Sequence, residues 1–166
     1  MTTDQRLAFL TSQPFCHRGL HGDGVVENSL AAFDRAIAAG HGIELDVQLT
    51  LDGDVVVFHD ATLDRLTSLS GPVRKMPRSK LEQTTLNGSS ETIHTLHSVL
   101  LHIAGRVPVL IEAKTSGLAF MPVCFAIRRA LEGYRGPLAV MSFNPDLVRW
   151  FRRHAPRVLR GLVVTD

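Results

Sequence analysis

At 166 residues, with 45% hydrophobic and 20% charged side chains, the chain has the makeup of one globular domain, which excludes disordered and fibrous classes. A formal net charge of +2 gives no case for nucleic acid as a partner. No stretch approaches the ~18 to 20 continuous apolar residues of a membrane-spanning helix.

MTTDQRLAFLTSQPF has no basic run followed by an apolar one, so no secretory leader is expected. Phe15-Cys16-His17 reads as a short first strand. Asn28 or Ser29 caps a helix with Leu30, Phe33 and Ile37 on one face, closed by Gly40. Ile43 to Val47 is a second strand and Val55 to His59 a third. From Ser68 to about Ser90 the periodicity dissolves among Gly71, Pro72, Pro77 and Gly88. A loop this long, taken as 68–90, is expected to be an insertion or lid.

Thr95 caps the next helix, which carries Leu96, Val99, Leu100 and Ile103 and stops at Gly105. Val109 to Lys114 is a fourth strand, Met121 to Leu131 a helix, Leu138 to Ser142 a fifth strand, Pro145 to His154 a helix and Gly161 to Val164 a sixth strand. Short apolar runs alternating with amphipathic stretches predict an α/β domain with a parallel sheet over residues 1–166. Arg149, Arg152, Arg153, Arg157 and Arg160 recur at helical spacing and read as a solvated face. Cys16 and Cys124 lack metal-type spacing and read as reduced thiols, which makes the cytoplasm the expected location.

The chemistry lies in the strands. Side chains alternate between the faces of a strand, so Glu44 and Asp46 share one face while Ile43, Leu45 and Val47 share the other. Two residues of strand span about 7 Å, which lets both carboxylates reach one hard cation. Glu112 and Lys114 share a face of the fourth strand, and His17 and His59 fall at strand ends. In an eight-stranded α/β barrel such ends converge on one mouth. A cation there offsets the mutual repulsion and desolvation of buried acids. His94, His97 and His102 flank or occupy one helix and read as a partly exposed face, and Trp150 as helix packing.

The ordered motifs His17-Arg18-Gly19, Glu27-Asn28-Ser29, Ala32-Phe33, Ile43-Glu44-Leu45-Asp46-Val47, Asp52-Gly53, His59-Asp60, Leu63-Asp64-Arg65-Leu66-Thr67 and Ile111-Glu112-Ala113-Lys114 together resemble the glycerophosphodiester phosphodiesterase family. Ser142-Phe143-Asn144 extends the likeness more weakly. The resemblance implies a TIM-type (β/α) barrel and metal-dependent hydrolysis of glycerophosphodiesters to glycerol 3-phosphate and an alcohol. It implies His17 and His59 as the general acid–base pair, and Glu44, Asp46 and Glu112 as ligands of one divalent cation, Mg²⁺ or Ca²⁺. Arg18 and Lys114 are implied to hold phosphate oxygens.

A complete barrel takes about 250 residues, so the barrel is expected to be incomplete, with about six of eight β/α units. A portion of a longer chain explains this first; a homodimer covering the open side, or a degenerate remnant, are the alternatives. Two other functions follow: an impaired partial barrel that binds phosphorylated ligands, and a lysophospholipase D-like enzyme.

Overall fold

The computed structural model describes residues 7–115 and 120–164. The first six residues of the N-terminal stretch read for a leader lie outside that description. After a short helix α1 (Phe9–Ser12) come β1 (Phe15–Cys16), α2 (Leu30–Ala38), β2 (Gly42–Leu49) and β3 (Val55–Val57). A 3₁₀ turn (Val73–Lys75) and helix α3 (Arg78–Leu81) precede α4 (Leu96–Ile103) and β4 (Val109–Ala113). The chain continues through α5 (Met121–Ala130), β5 (Leu138–Ser142), α6 (Pro145–His154) and β6 (Leu159–Leu162).

The sheet runs β1-β2-β4-β5-β6 with all four pairings parallel. Helices cover one face of it, in the manner of part of a TIM-type barrel. Among the described residues β1 and β6 are not paired with each other. Ile43, Leu45, Val47, Val109, Ile111, Ala113 and Val140 face the helices in one apolar core with Phe33, Leu96, Val99 and Phe151. Glu44, Asp46 and Glu112 point the other way, as strand alternation requires.

The third strand differs from its expected direction. It pairs antiparallel with β2, Leu49 opposite Val55 and Val47 opposite Val57. The connection is residues 50–54 alone, far short of the dozen or more a parallel crossover needs. Asp52-Gly53 turns it, with Gly53 at φ +79° and Thr50 N–H bonded to Asp54 O at 2.9 Å. His59 therefore reaches the mouth because a hairpin carries the chain back, not because a barrel strand ends there. Among the described residues, five of the six strands are parallel.

The last strand also begins two residues earlier than expected, since Leu159 pairs with Ala139 and Leu162 with Ser142. The apolar letters Leu162-Val163-Val164 drew the expectation too far; the register with β5 decides.

Residues 68–90, expected as one long loop, contain the 3₁₀ turn and α3 and pack inward. Val56, Phe58, Leu63, Val73, Leu81, Leu86 and Ile93 form a second apolar cluster beside the main one. This satellite core is tied to α2 by Glu91, whose carboxylate accepts from Leu30 N–H at 2.7 Å and Ala31 N–H at 2.9 Å. With the Ser29 hydroxyl accepting from Ala32 N–H, three of the four free donors at that helix start are satisfied. Among the described residues no helix is long and apolar enough to cross a membrane.

Candidate active site

Register brings the acids together. Asp46 lies beside Glu112 across the β2–β4 ladder, and Glu44 precedes Asp46 by one strand repeat on the same face. One oxygen from each of Glu44, Asp46 and Glu112 lies within 4.8 Å of the others, and all three residues are buried. Among the described residues no other group of three acid, His or Cys side chains converges this way.

Two cations flank the acids. Lys114 Nζ is 3.0 Å from Asp46 Oδ1 and closer still to Glu112 Oε1. Arg18 Nε lies 3.4 Å from Asp46 Oδ2, its Nη1 donates to Glu27 Oε1 at 2.9 Å, and its backbone N–H donates to Glu44 Oε2 at 2.9 Å. Burial works against the Lys114 ammonium, but the Glu112 and Asp46 carboxylates outweigh it and hold its pKa above the ordinary lysine value.

These pairs leave the cluster under-compensated. Glu44 Oε1 is buried without a hydrogen-bond partner, and Asp46 Oδ1 has the Lys114 ammonium nearby but no aligned bond. Burial first, then the Asp46 and Glu112 charges, push the Glu44 carboxyl up to about 7. An oxygen-only donor set with an orphaned buried carboxylate oxygen fits a hard divalent cation such as Mg²⁺ or Ca²⁺.

The histidines sit at the rim. His17 Nε2 is 4.0 Å from Glu44 Oε2, and its side chain is 68% exposed. Desolvation by the site, then the Arg18 charge, lower its pKa. His59 Nδ1 is 2.7 Å from Asp60 Oδ1, and Gln48 Nε2 donates to His59 O at 2.8 Å. His59, Glu112, Lys114, Arg74 and Phe143 line one cavity of about 670 Å³. All seven residues singled out from the sequence thus meet at one end of the sheet.

Four neighbours had no role in the site from sequence. Asn28 Nδ2 donates to Asp46 Oδ2 at 3.1 Å; Ser29, not Asn28, caps α2. Asn28 and Arg18 both hold the left-handed backbone conformation, φ +56° and +59°, with Asn28 N–H bonded to Arg18 O. Glu27 and Asp60 orient Arg18 and His59, and Arg65 touches both. All four belong to the ordered motifs Glu27-Asn28-Ser29, His59-Asp60 and Leu63-Asp64-Arg65-Leu66-Thr67, which marked their positions without giving them a part in the site.

A family model described as the glycerophosphoryl diester phosphodiesterase family matches residues 17–166. The chain is 34% identical over 157 residues to the glycerophosphodiester phosphodiesterase of Caldanaerobacter subterraneus subsp. tengcongensis, covering 89% of this chain and 64% of that protein. A phosphodiesterase of Oleispira antarctica, solved in complex with the product sn-glycerol-3-phosphate, matches with a TM-score of 0.85 at 29% identity, over 92% of this chain and 66% of that one. A glycerophosphodiester phosphodiesterase of Agrobacterium tumefaciens matches at 0.75 and 30%, over 90% and 66%. The chain spans about two thirds of the length of these relatives.

Proposed function

Because this chain belongs to the glycerophosphoryl diester phosphodiesterase family, we propose that it hydrolyses glycerophosphodiesters to glycerol 3-phosphate and an alcohol, using one divalent cation and a histidine pair. The observation that carries this reading is the buried Glu44–Asp46–Glu112 cluster with an orphaned oxygen, ringed by Arg18, Lys114 and two imidazoles.

Glu44, Asp46 and Glu112 hold the cation, Mg²⁺ or Ca²⁺, which supplies positive charge to the phosphodiester oxygens when bound. Arg18 and Lys114 bind phosphate oxygens and offset the charge that grows on them in the transition state. His59 has Nδ1 committed to Asp60, which leaves Nε2 for proton transfer. His17 supplies the second imidazole: one takes a proton from the nucleophile and the other donates to the leaving alkoxide. Pro72 and Arg74 line the cavity, which supports the 68–90 segment as a border of the substrate mouth. A cytoplasmic location, and a second copy covering the open edge where Leu162 is exposed, belong to the same reading.

The test is release of glycerol 3-phosphate from glycerophosphocholine and glycerophosphoethanolamine, with lysophosphatidylcholine alongside, in Mg²⁺, Ca²⁺ or EDTA. Turnover is expected only with metal and a headgroup substrate, and to fall ~10²- to 10⁴-fold in His17→Ala or His59→Ala. Undiminished turnover in either variant rejects the acid–base pair. Ligand binding without turnover at any metal concentration favours the non-catalytic reading, and turnover of the lysolipid the lysophospholipase D-like one.

A further inference from the structure

Arg65 lies outside the acid cluster, yet its guanidinium joins two residues of the proposed chemistry. Nε and Nη2 reach Asp60 Oδ2 and Oδ1 at 2.5 and 3.0 Å, while Nη1 and Nη2 reach Glu27 Oε2 and Oε1 at 3.0 and 2.7 Å. Asp60 Oδ1 is the oxygen 2.7 Å from His59 Nδ1, and Glu27 Oε1 is the oxygen that accepts from Arg18 Nη1. A single nitrogen, Nη2, therefore stands between the two oxygens that orient the imidazole and the phosphate-binding guanidinium.

We propose that Arg65 is a positioning residue that sets His59 and Arg18 together, through Asp60 and Glu27. Two bidentate contacts fix both carboxylates in the plane of one fork, a geometry that a lysine ammonium does not reproduce. With Asp60 locked as an acceptor, His59 carries its proton on Nδ1 and keeps Nε2 for the cavity. The Arg65 contacts are also the largest influence holding the Asp60 carboxyl down to about 2.

The satellite core anchors this device. Leu63 is fully buried in it, Leu66 packs against it, and Thr67 N–H bonds back to Leu63 O. Arg65 sits on that turn with a side chain 47% exposed, so its ion pairs add little to stability as such and act through direction. The packing of residues 58–93 is thereby transmitted to the mouth of the sheet.

The inference rests on the roles proposed above for His59 and Arg18, so its test needs a readout that does not require turnover. Nitrogen-15 NMR of the His59 ring in the resting full chain is that readout. The wild type is expected to show one Nδ1–H tautomer, and Arg65→Ala a mixture. With substrate, kcat is expected to fall about 10- to 100-fold in Arg65→Ala, with partial recovery in added guanidinium and in Arg65→Lys, and with unchanged Ca²⁺ affinity. If Arg65→Ala does not fold, Arg65→Lys carries the test, since it too should mix tautomers. An unchanged His59 tautomer in the folded variant overturns the proposal whatever the rates. Tautomer mixing in a chain that never turns over supports the coupling while removing the hydrolase reading.

Discussion

Replacing Glu44 by Gln removes one charge from the acid cluster while preserving side-chain shape, so it separates electrostatics from packing. Without metal the Glu44 carboxyl titrates at about 7 rather than 4.5. A folded-state value above the unfolded one means the group's stabilising contribution is fully present below pH 4.5 and is lost as pH rises through 7. At ~1.4 kcal/mol per pH unit the loss comes to about 3 kcal/mol by pH 8. Glu44→Gln has no such loss. It is expected to unfold ~6 to 12 °C above the wild type at pH 8 in EDTA, and close to it at pH 4.5. Saturating Ca²⁺ or Mg²⁺ narrows or reverses the gap, since a ligand at 100-fold over its Kd adds ~2.7 kcal/mol to the wild type and less to the variant. Thermal unfolding followed by circular dichroism at both pH values, with EDTA and with cation, reads this directly. A difference between the two proteins that does not change with pH would refute the reasoning.

Glu27 is the opposite case: the Arg65 bonds, then the Arg18 contacts, hold its carboxyl down to about 2 against the opposing effect of burial. Its contribution is present above pH 4.5 and lost as pH falls toward 2, so Glu27→Gln should lower urea stability by about 1 to 2 kcal/mol at pH 7 and hardly at all at pH 2, allowing for the half-exposed Arg65. Gly19→Ala meets two obstacles, a φ of +79° and an added Cβ 2.8 Å from the Ala32 Cβ. Calorimetric melting should show a loss of about 1 to 3 kcal/mol. Burial pushes the Cys124 thiol up to about 12, so iodoacetamide at pH 8 should label it far more slowly in the native chain than in urea.

The strands that carry the acids were legible because alternation is local: Ile43-Glu44-Leu45-Asp46-Val47 states which side chains share a face, and parallel pairing with Val109–Ala113 then sets Asp46 beside Glu112. The cap at Thr95 and the bounds of Pro145–His154 were legible for the same reason, while the start of α2 was narrowed only to Asn28 or Ser29. Strand direction was harder to read. Val55-Val56-Val57 is apolar throughout, and the clue lay in the short connection with Asp52-Gly53. The satellite core was hidden because Leu63, Val73, Leu81, Leu86 and Ile93 have no common period and are joined by loops and isolated bridges such as Thr67 with Leu86. Arg65 shows the same limit, since its place five positions after Asp60 says nothing of Glu27, which is 38 positions away.

Isothermal titration of Ca²⁺ and Mg²⁺ into this chain tests the central claim most directly. One divalent site is expected, weakened strongly in Glu44→Gln, Asp46→Asn and Glu112→Gln alike, because each removes a charged ligand from a single cluster. Binding that survives all three substitutions, or no binding by a folded wild-type chain, would contradict it.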